Sequence, residues 1–114
     1  AAASILSNQV IAVLDMGYTL LEDCGFTRNE AVRATGQLVM RNIENVLEAG
    51  CDGALTGPIE RNDIETVKKH IACMQNDYSD DVRLYKMLGT KLVNIAEKKN
   101  PDKDYTQMME LLRG

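Results

Sequence analysis

The sequence predicts an all-α protein of four to five helices, and three observations lead to this prediction. Apolar residues recur at three- and four-residue steps over most of the 114 residues. No stretch of useful length alternates apolar and polar residues, as a half-buried strand does. Aromatic residues make up only 4% of the chain, with no Trp and one Phe. The core must therefore be built from aliphatic side chains and Met, which suits the packing of helix on helix.

The first helix is predicted from Ala2 to Cys24. Gly25 follows as a C-terminal cap, because glycine readily takes the left-handed angles that end many helices. Phe26 can then fold back on the last turn. The apolar positions form one stripe along the helix, made of Ile5, Leu6, Val10, Val13, Leu14, Tyr18 and Leu21.

The second helix is predicted to open at Thr27, which forms a capping box with Glu30. In such a box each side chain accepts a hydrogen bond from the other residue's free backbone amide. The helix should run to about Ala49 and end at Gly50. The two-residue link from the first helix favours an antiparallel hairpin.

A loop containing Gly57 and Pro58 interrupts the helical pattern at residues 51–61. Pro58 presets one backbone angle, and Gly57 relieves the crowding that a larger residue meets before proline. Leu55 is expected to anchor this loop in the core. Asn62 is predicted to be the N-cap of the third helix, with Glu65 completing a capping box.

Arg61, Asn62 and Asp63 lie where the third helix begins. Backbone donors and a cation at such a position could face an anion. The alternative is a rigid connector whose polar groups only cap the next helix. Residue types alone leave both interpretations open.

Three further helical segments complete the predicted fold. The third helix presents Ile64, Val67, Ile71 and Met74, and "QNDYSDD" at residues 75–81 is a polar linker. A fourth helix runs to about Lys98, and Pro101 then prevents continuation, because the residue before proline disfavours helical angles. A last short helix carries Tyr105, Met108, Met109 and Leu112.

Composition and charge narrow the classes of function. The net charge is −4 with dispersed basic residues, which argues against a nucleic-acid surface. The longest nearly apolar run, residues 10–14, is too short to span a membrane, and no signal peptide is recognised. Cys24, Cys51 and Cys73 lack metal-site or disulfide-framework spacing, so we expect buried or incidental thiols in a reducing cytoplasm.

The motifs for common cofactors and metals are missing. "GCDGALTG" follows a helix rather than a strand and lacks the Lys-Ser/Thr ending of a triphosphate-binding loop. His70 is the only histidine and has no partners at metal-ligand spacing, so we predict a packed or half-exposed residue and no metal. The catalytic residues stay unassigned.

Two stretches together carry a resemblance to a known family. They are "ASILSNQVIAVLDMGYTLLEDCGF" and "NIENVLEAGCDGALTGPIERNDIETVKKHI". They resemble the C-terminal helical domain, long catalogued as a domain of unknown function, of Rossmann-like NADP-dependent oxidoreductases. That domain is similar to the C-terminal domain of 6-phosphogluconate dehydrogenase and pyrroline-5-carboxylate reductase. The loop motif has the form ALTGPxxRxD followed by ETVxxH, and residues 54–58, Arg61, Asp63, 65–67 and His70 match it.

The chain departs from the family pattern at two positions of the loop. Asn62 stands where the family often has Gly, and Asn is the next-best residue for a left-handed backbone angle. Glu60 stands where a small residue is common, which would place a negative charge beside the loop.

The resemblance implies an architecture and a role. Residues 1–114 would be a single helical domain, the C-terminal part of a longer chain whose N-terminal dinucleotide-binding Rossmann domain precedes Ala1. The helical domain would form a homodimer and cover a small-molecule substrate. Ser7, Asn8, Thr56 and Arg61 would lie near that substrate, whereas Gly57, Pro58, Asn62 and Asp63 would shape the loop. The domain alone would bind no cofactor, and the parent would use NADP or NAD.

A second hypothesis makes the chain a non-catalytic helical interaction or regulatory module, because fold and function separate easily. Both hypotheses expect a cytoplasmic protein without nucleic-acid or membrane partners. They differ in whether Asn8, Thr56 and Arg61 contact a ligand.

Overall fold

The computed structural model describes residues 1–114 and contains five helices and no strand, which confirms the all-α prediction. By their contacts the residues form two compact units, Ala1–Ile43 and Glu44–Gly114. The helices are α1 (Ala2–Asp23), α2 (Arg28–Ala54), α3 (Ile64–Met74), α4 (Ser79–Lys99) and α5 (Thr106–Arg113).

The link between α1 and α2 forms as its residues predict. Gly25 has φ 106°, and its amide donates to the carbonyl of Glu22 at 3.0 Å. The Phe26 amide donates to the carbonyl of Leu21 at 3.2 Å. These two bonds make the Schellman motif that ends many helices. The predicted end of the first helix is therefore confirmed.

The capping box at the start of α2 is also confirmed. The Thr27 amide donates to Glu30 Oε1 at 3.0 Å, and the Glu30 amide donates to Thr27 Oγ1 at 3.1 Å. Arg28 then reaches back to α1, where it pairs with Asp15 at 2.9 Å and with Glu22 at 2.7 Å. Local capping and these two ion pairs of Arg28 together set the geometry of the α1–α2 link.

Helix α1 is more apolar than its short uninterrupted run suggests. It contains an 18-residue window of mean hydropathy 1.2, and none of that window is buried. By length and composition alone the helix could cross a membrane. The prediction from the sequence considered only residues 10–14 and left out the Ala, Ile, Leu and Met residues on either side of that run. Core helices of soluble proteins share this composition, so it does not by itself assign α1 to a membrane.

The core lies in the second unit. Here α5 packs against α4, and α3 packs against both. Gly89 of α4 is the point of closest approach, because a Cβ at this position would lie 2.8 Å from Leu112 Cδ2 and 3.4 Å from Ile59 Cδ1. The buried apolar side chains of this unit are Ile59, Val67, Ile71, Met74, Val82, Val93, Ala96, Tyr105, Met108 and Leu112.

The predicted end of the second helix at Gly50 is confirmed in part, whereas the predicted start of the fourth helix was wrong. Gly50 has φ 78° and ψ 174° and interrupts the helix, but one more helical turn follows it to Ala54, so the loop begins at residue 55 rather than 51. Helix α4 begins at Ser79, inside the predicted polar linker, because Asp80 and Asp81 favour the first turn of a helix. We call residues 55–63, "LTGPIERND", the GP loop.

Candidate functional site

The first predicted site region is the start of α1, where Ser7 and Asn8 lie. The backbone here is π-helical over Ile5–Gln9, a conformation that frequently occurs at functional sites. The Ser7 hydroxyl donates to the carbonyl of Ala3 at 2.6 Å. The Asn8 side chain is exposed and makes no hydrogen bond within the chain. Of Ser7 and Asn8, it is therefore Asn8 whose side-chain amide is free to contact a ligand.

The second region is the GP loop, whose turn depends on two positive φ angles. Gly57 has φ 99° and Asn62 has φ 61°. The expectation that Asn62 takes a left-handed angle is therefore confirmed. The loop also closes on itself through three backbone bonds, from the amides of Arg61, Asn62 and Asp63 to the carbonyls of Gly57 (3.0 Å), Ile59 (3.1 Å) and Pro58 (2.8 Å).

The N-cap of α3 is Asp63, so the prediction of Asn62 as the cap was wrong. Asp63 Oδ1 accepts a hydrogen bond from the Thr66 amide at 3.2 Å, and Oδ2 accepts one from the Thr66 hydroxyl at 2.7 Å. Asn62 cannot be the cap, because a left-handed angle does not suit that position. Glu65, expected to complete the box, instead faces Lys68 at 3.7 Å.

Asp63 predicts a pH dependence of α3. The two bonds from Thr66 hold the pKa of the Asp63 carboxyl below its usual value, the side-chain bond having the larger effect and the Arg61 charge a smaller one. A carboxyl with a lowered folded-state pKa stabilises the fold above its unfolded pKa, and this contribution is lost as pH falls through the folded value. We expect exchange at the Thr66 amide to accelerate in that acidic window beyond the intrinsic trend, as measured by NMR. Asp63→Asn should remove the effect, and an unchanged pH profile in that variant would contradict it.

Ile59, rather than Leu55, anchors the GP loop. Ile59 is 6% exposed and contacts the core near Gly89, whereas Leu55 is only half-buried. The periodic pattern could not distinguish these two residues, because the loop has no helical period. Which of the two residues is the anchor depends on where the packing of α4 and α5 leaves space for an apolar side chain.

C-terminal residues hold the GP loop at three places, and sequence reasoning missed all of them. Lys99 Nζ donates to the carbonyl of Leu55 at 2.6 Å. The Tyr105 hydroxyl donates to the carbonyl of Glu60 at 2.6 Å. Asn62 Nδ2 donates to the carbonyl of Asp104 at 2.8 Å. No local signal could have revealed these bonds, since their partners lie 42 to 45 residues apart.

The negative charge of Glu60 is neutralised within the chain. Its carboxylate lies 3.7 Å from Lys99 Nζ and accepts a hydrogen bond from Asn100 Nδ2 at 3.2 Å. The Glu60 side chain is 14% exposed. The Glu60 carboxylate therefore helps to attach the loop to the C-terminal residues and contributes little to the solvent-exposed surface.

Thr56 and Arg61 are the members of the GP loop that face solvent. Both are exposed, and the Arg61 guanidinium makes only a 4.0 Å contact with Asp63. A cation beside the N-terminus of α3 has the chemistry to attract an anionic group. Ser7 and Asn8 belong to the first unit, and Thr56 and Arg61 belong to the second.

The remaining candidate groups are His70, the three cysteines and the acidic residues. His70 is exposed, and its Nδ1 lies 3.0 Å from the Tyr85 hydroxyl. Burial raises the pKa of Tyr85. The three cysteines are free and exposed, so of the two expected alternatives, buried or incidental thiols, the buried one was wrong. No group of three or more His, Cys, Asp or Glu residues has the arrangement of a metal site.

Comparison with known protein families gives a match over most of the chain. A family model described as a domain of unknown function (DUF2520) matches residues 1–92. No curated protein and no solved structure matches the chain. The matched part includes α1, α2, the GP loop and α3, and it ends within α4.

Proposed function

The chain belongs to the DUF2520 family of domains of unknown function, and from this premise we propose that it is the dimerising and substrate-covering domain of an NAD(P)-dependent oxidoreductase. The domain alone performs no hydride transfer. A Rossmann domain of the same chain would bind NADP or NAD. The resemblance of α1 and the GP loop to the helical domains of such enzymes supports this proposal.

The uncovered apolar surface of the first unit carries the dimer proposal. Ala31 is its only buried apolar residue. A concentration of exposed apolar side chains on a soluble protein marks an interaction site. Ten large apolar side chains of this unit are exposed. They are Ile5, Leu6, Val10, Ile11, Val13, Phe26, Val32, Leu38, Met40 and Ile43, each at least 38% exposed.

A second copy is the occupant that this surface fits best. Two copies of the first unit can cover each other's exposed apolar side chains around a two-fold axis. A groove of about 190 Å³ between α1 and α2 offers a place for side chains of that copy. Gly17 lines the groove and has open space where a Cβ would stand. The negative charges of Asp15 and Glu22 on α1 are paired within the chain, because both carboxylates lie against the Arg28 guanidinium.

The polar residues supply the substrate-covering role. Asn8, Thr56 and Arg61 are exposed, and their side chains can donate hydrogen bonds to a polar or anionic substrate. In an enzyme of this kind the helical domain would shape the pocket and exclude water from the nicotinamide, while the cofactor supplies the redox chemistry.

The test uses the complete protein. We expect Asn8→Ala and Arg61→Ala to lower NADPH consumption with small carbonyl compounds at least tenfold, because each removes a contact to the substrate. Arg83→Ala, at an equally charged and more exposed position on α4, is the control and should have no effect. Turnover unchanged in both site variants would show that these residues have only a structural role.

The coding sequence upstream of Ala1 separates the two functional hypotheses. A strand, a G-x-G-x-x-G turn and a helix within about 150 residues would support the oxidoreductase. An unrelated upstream domain would favour a helical interaction or regulatory module, for which the same exposed apolar side chains of the first unit would form the binding surface.

A further inference from the structure

The GP loop belongs to the family-matched residues, but the side chains that hold it do not. The match ends at residue 92, whereas Lys99, Asn100 and Tyr105 lie beyond it. We propose that residues 99–105 form a clamp that determines the conformation of the GP loop, with Tyr105 as its principal positioning residue. We call these residues the C-terminal clamp.

The clamp contacts the GP loop at its beginning, its middle and its end. Lys99 fixes the carbonyl of Leu55, Tyr105 fixes the carbonyl of Glu60, and the carbonyl of Asp104 receives the Asn62 side chain. A loop fixed at three separated points cannot shift as a unit without breaking at least one of these bonds. The spacing of the contacts therefore restrains the whole loop.

Tyr105 is the centre of this network. It is 3% exposed, and its hydroxyl donates to the Glu60 carbonyl at 2.6 Å while it accepts from Asn100 Nδ2 at 3.0 Å. Asn100 Nδ2 also donates to the Glu60 carboxylate at 3.2 Å. Loss of the hydroxyl would leave the Glu60 carbonyl without its donor, and an unpaired buried group is costly.

The GP loop has reason to need such a restraint. Asn62 holds a left-handed angle, which is unfavourable for a residue with a Cβ. Ile59 is the only buried side chain of the loop, so little apolar burial fixes its shape. Strained backbone of this kind persists where the surrounding structure over-determines it. The C-terminal clamp supplies that surrounding structure.

The consequence concerns the exposed residues of the loop. Thr56 lies between the attachments at Leu55 and Glu60, and Arg61 lies between those at Glu60 and Asn62. Tyr105 would thus orient both residues without touching a ligand. That these residues meet a substrate rests on the proposed function, whereas control of the loop by the clamp does not.

Amide exchange tests the clamp without any ligand. In Tyr105→Phe, which removes only the hydroxyl, we expect the amides of Arg61, Asn62 and Asp63 to exchange about tenfold faster by NMR. The amides of Val93 and Ala96, two buried residues in the C-terminal half of α4, report the stability of the whole unit and should accelerate less. Tyr85→Phe, whose hydroxyl contacts His70 instead, is the matched control and should leave the loop amides unchanged.

Two results would overturn the proposal. Equal acceleration of the loop amides and the α4 amides would mean that Tyr105 only adds global stability. Unchanged loop amides would mean that Gly57 and Asn62 hold the loop without the clamp.

A second pair of variants tests the clamp at another attachment. Lys99→Met removes the donor to the Leu55 carbonyl and should accelerate the same three loop amides, whereas Lys99→Arg keeps a donor and should restore most of the protection. A Lys99→Met protein with a fully protected loop would contradict the clamp. Neither experiment depends on substrate or cofactor, so a failure of the oxidoreductase proposal would leave these outcomes interpretable.

Discussion

Met108→Ala is expected to lower the free energy of unfolding of the second unit by about 2–5 kcal/mol. Met108 is 0% exposed and is among the largest fully buried side chains of the protein. It lies on α5, which packs mainly against α4. Truncation removes apolar contacts and leaves a cavity, because a packed core relaxes only in part.

Urea denaturation followed by circular dichroism measures this effect. Met87→Ala is the matched control, since Met87 also lies on a helix but is 66% exposed. The exchange of Met for Ala costs nothing in helix propensity, so the control should change stability by less than about 0.5 kcal/mol. Equal destabilisation by both substitutions would show that α5 does not form the core of this unit.

Leu38→Glu is expected to weaken self-association of the chain at least 100-fold. Leu38 lines the apolar groove between α1 and α2, and its side chain is 71% exposed. In a two-fold dimer one substitution places two carboxylates in the interface, where desolvation of each charge is costly. In the isolated chain the same position faces water, so the first unit itself should lose little stability.

Sedimentation equilibrium at micromolar concentrations tests this prediction. The unmodified chain should sediment as a dimer and Leu38→Glu as a monomer of retained helicity. Met87→Glu is the control, because it places the same charge on an exposed Met of the second unit. A monomeric unmodified chain would remove the dimer from the proposed function. Binding of that chain to lipid vesicles would instead indicate that α1 meets a membrane.

Local sequence signals predicted the link between α1 and α2 correctly. The cap at Gly25 and the box of Thr27 and Glu30 involve bonds between residues at most five apart. Such bonds depend on a few neighbouring residue types, so they can be recognised in a sequence. The left-handed angle of Asn62 belongs to the same class, because the preference resides in the residue itself.

Neighbouring residues that compete for one role were harder to assign. Asn62 and Asp63 are both good N-caps, and only the backbone angle of Asn62 decides in favour of Asp63. Leu55 and Ile59 are both apolar, and only the space beside Gly89 decides which of them is buried. Residue type alone carries no signal that separates these pairs.

The sequence by itself thus determined the all-α class, the capping of α1 and α2, and the family to which the GP loop belongs. Only the tertiary structure decided what holds that loop, because the bonds of Lys99, Asn100 and Tyr105 join residues that are 40 to 45 positions apart. A helical period reports the environment of one face, but not which distant residue lies against it. The contact of Tyr105 with Glu60 exists because α4 and α5 pack around Gly89 and Met108, and that packing depends on side-chain volumes summed over the whole unit.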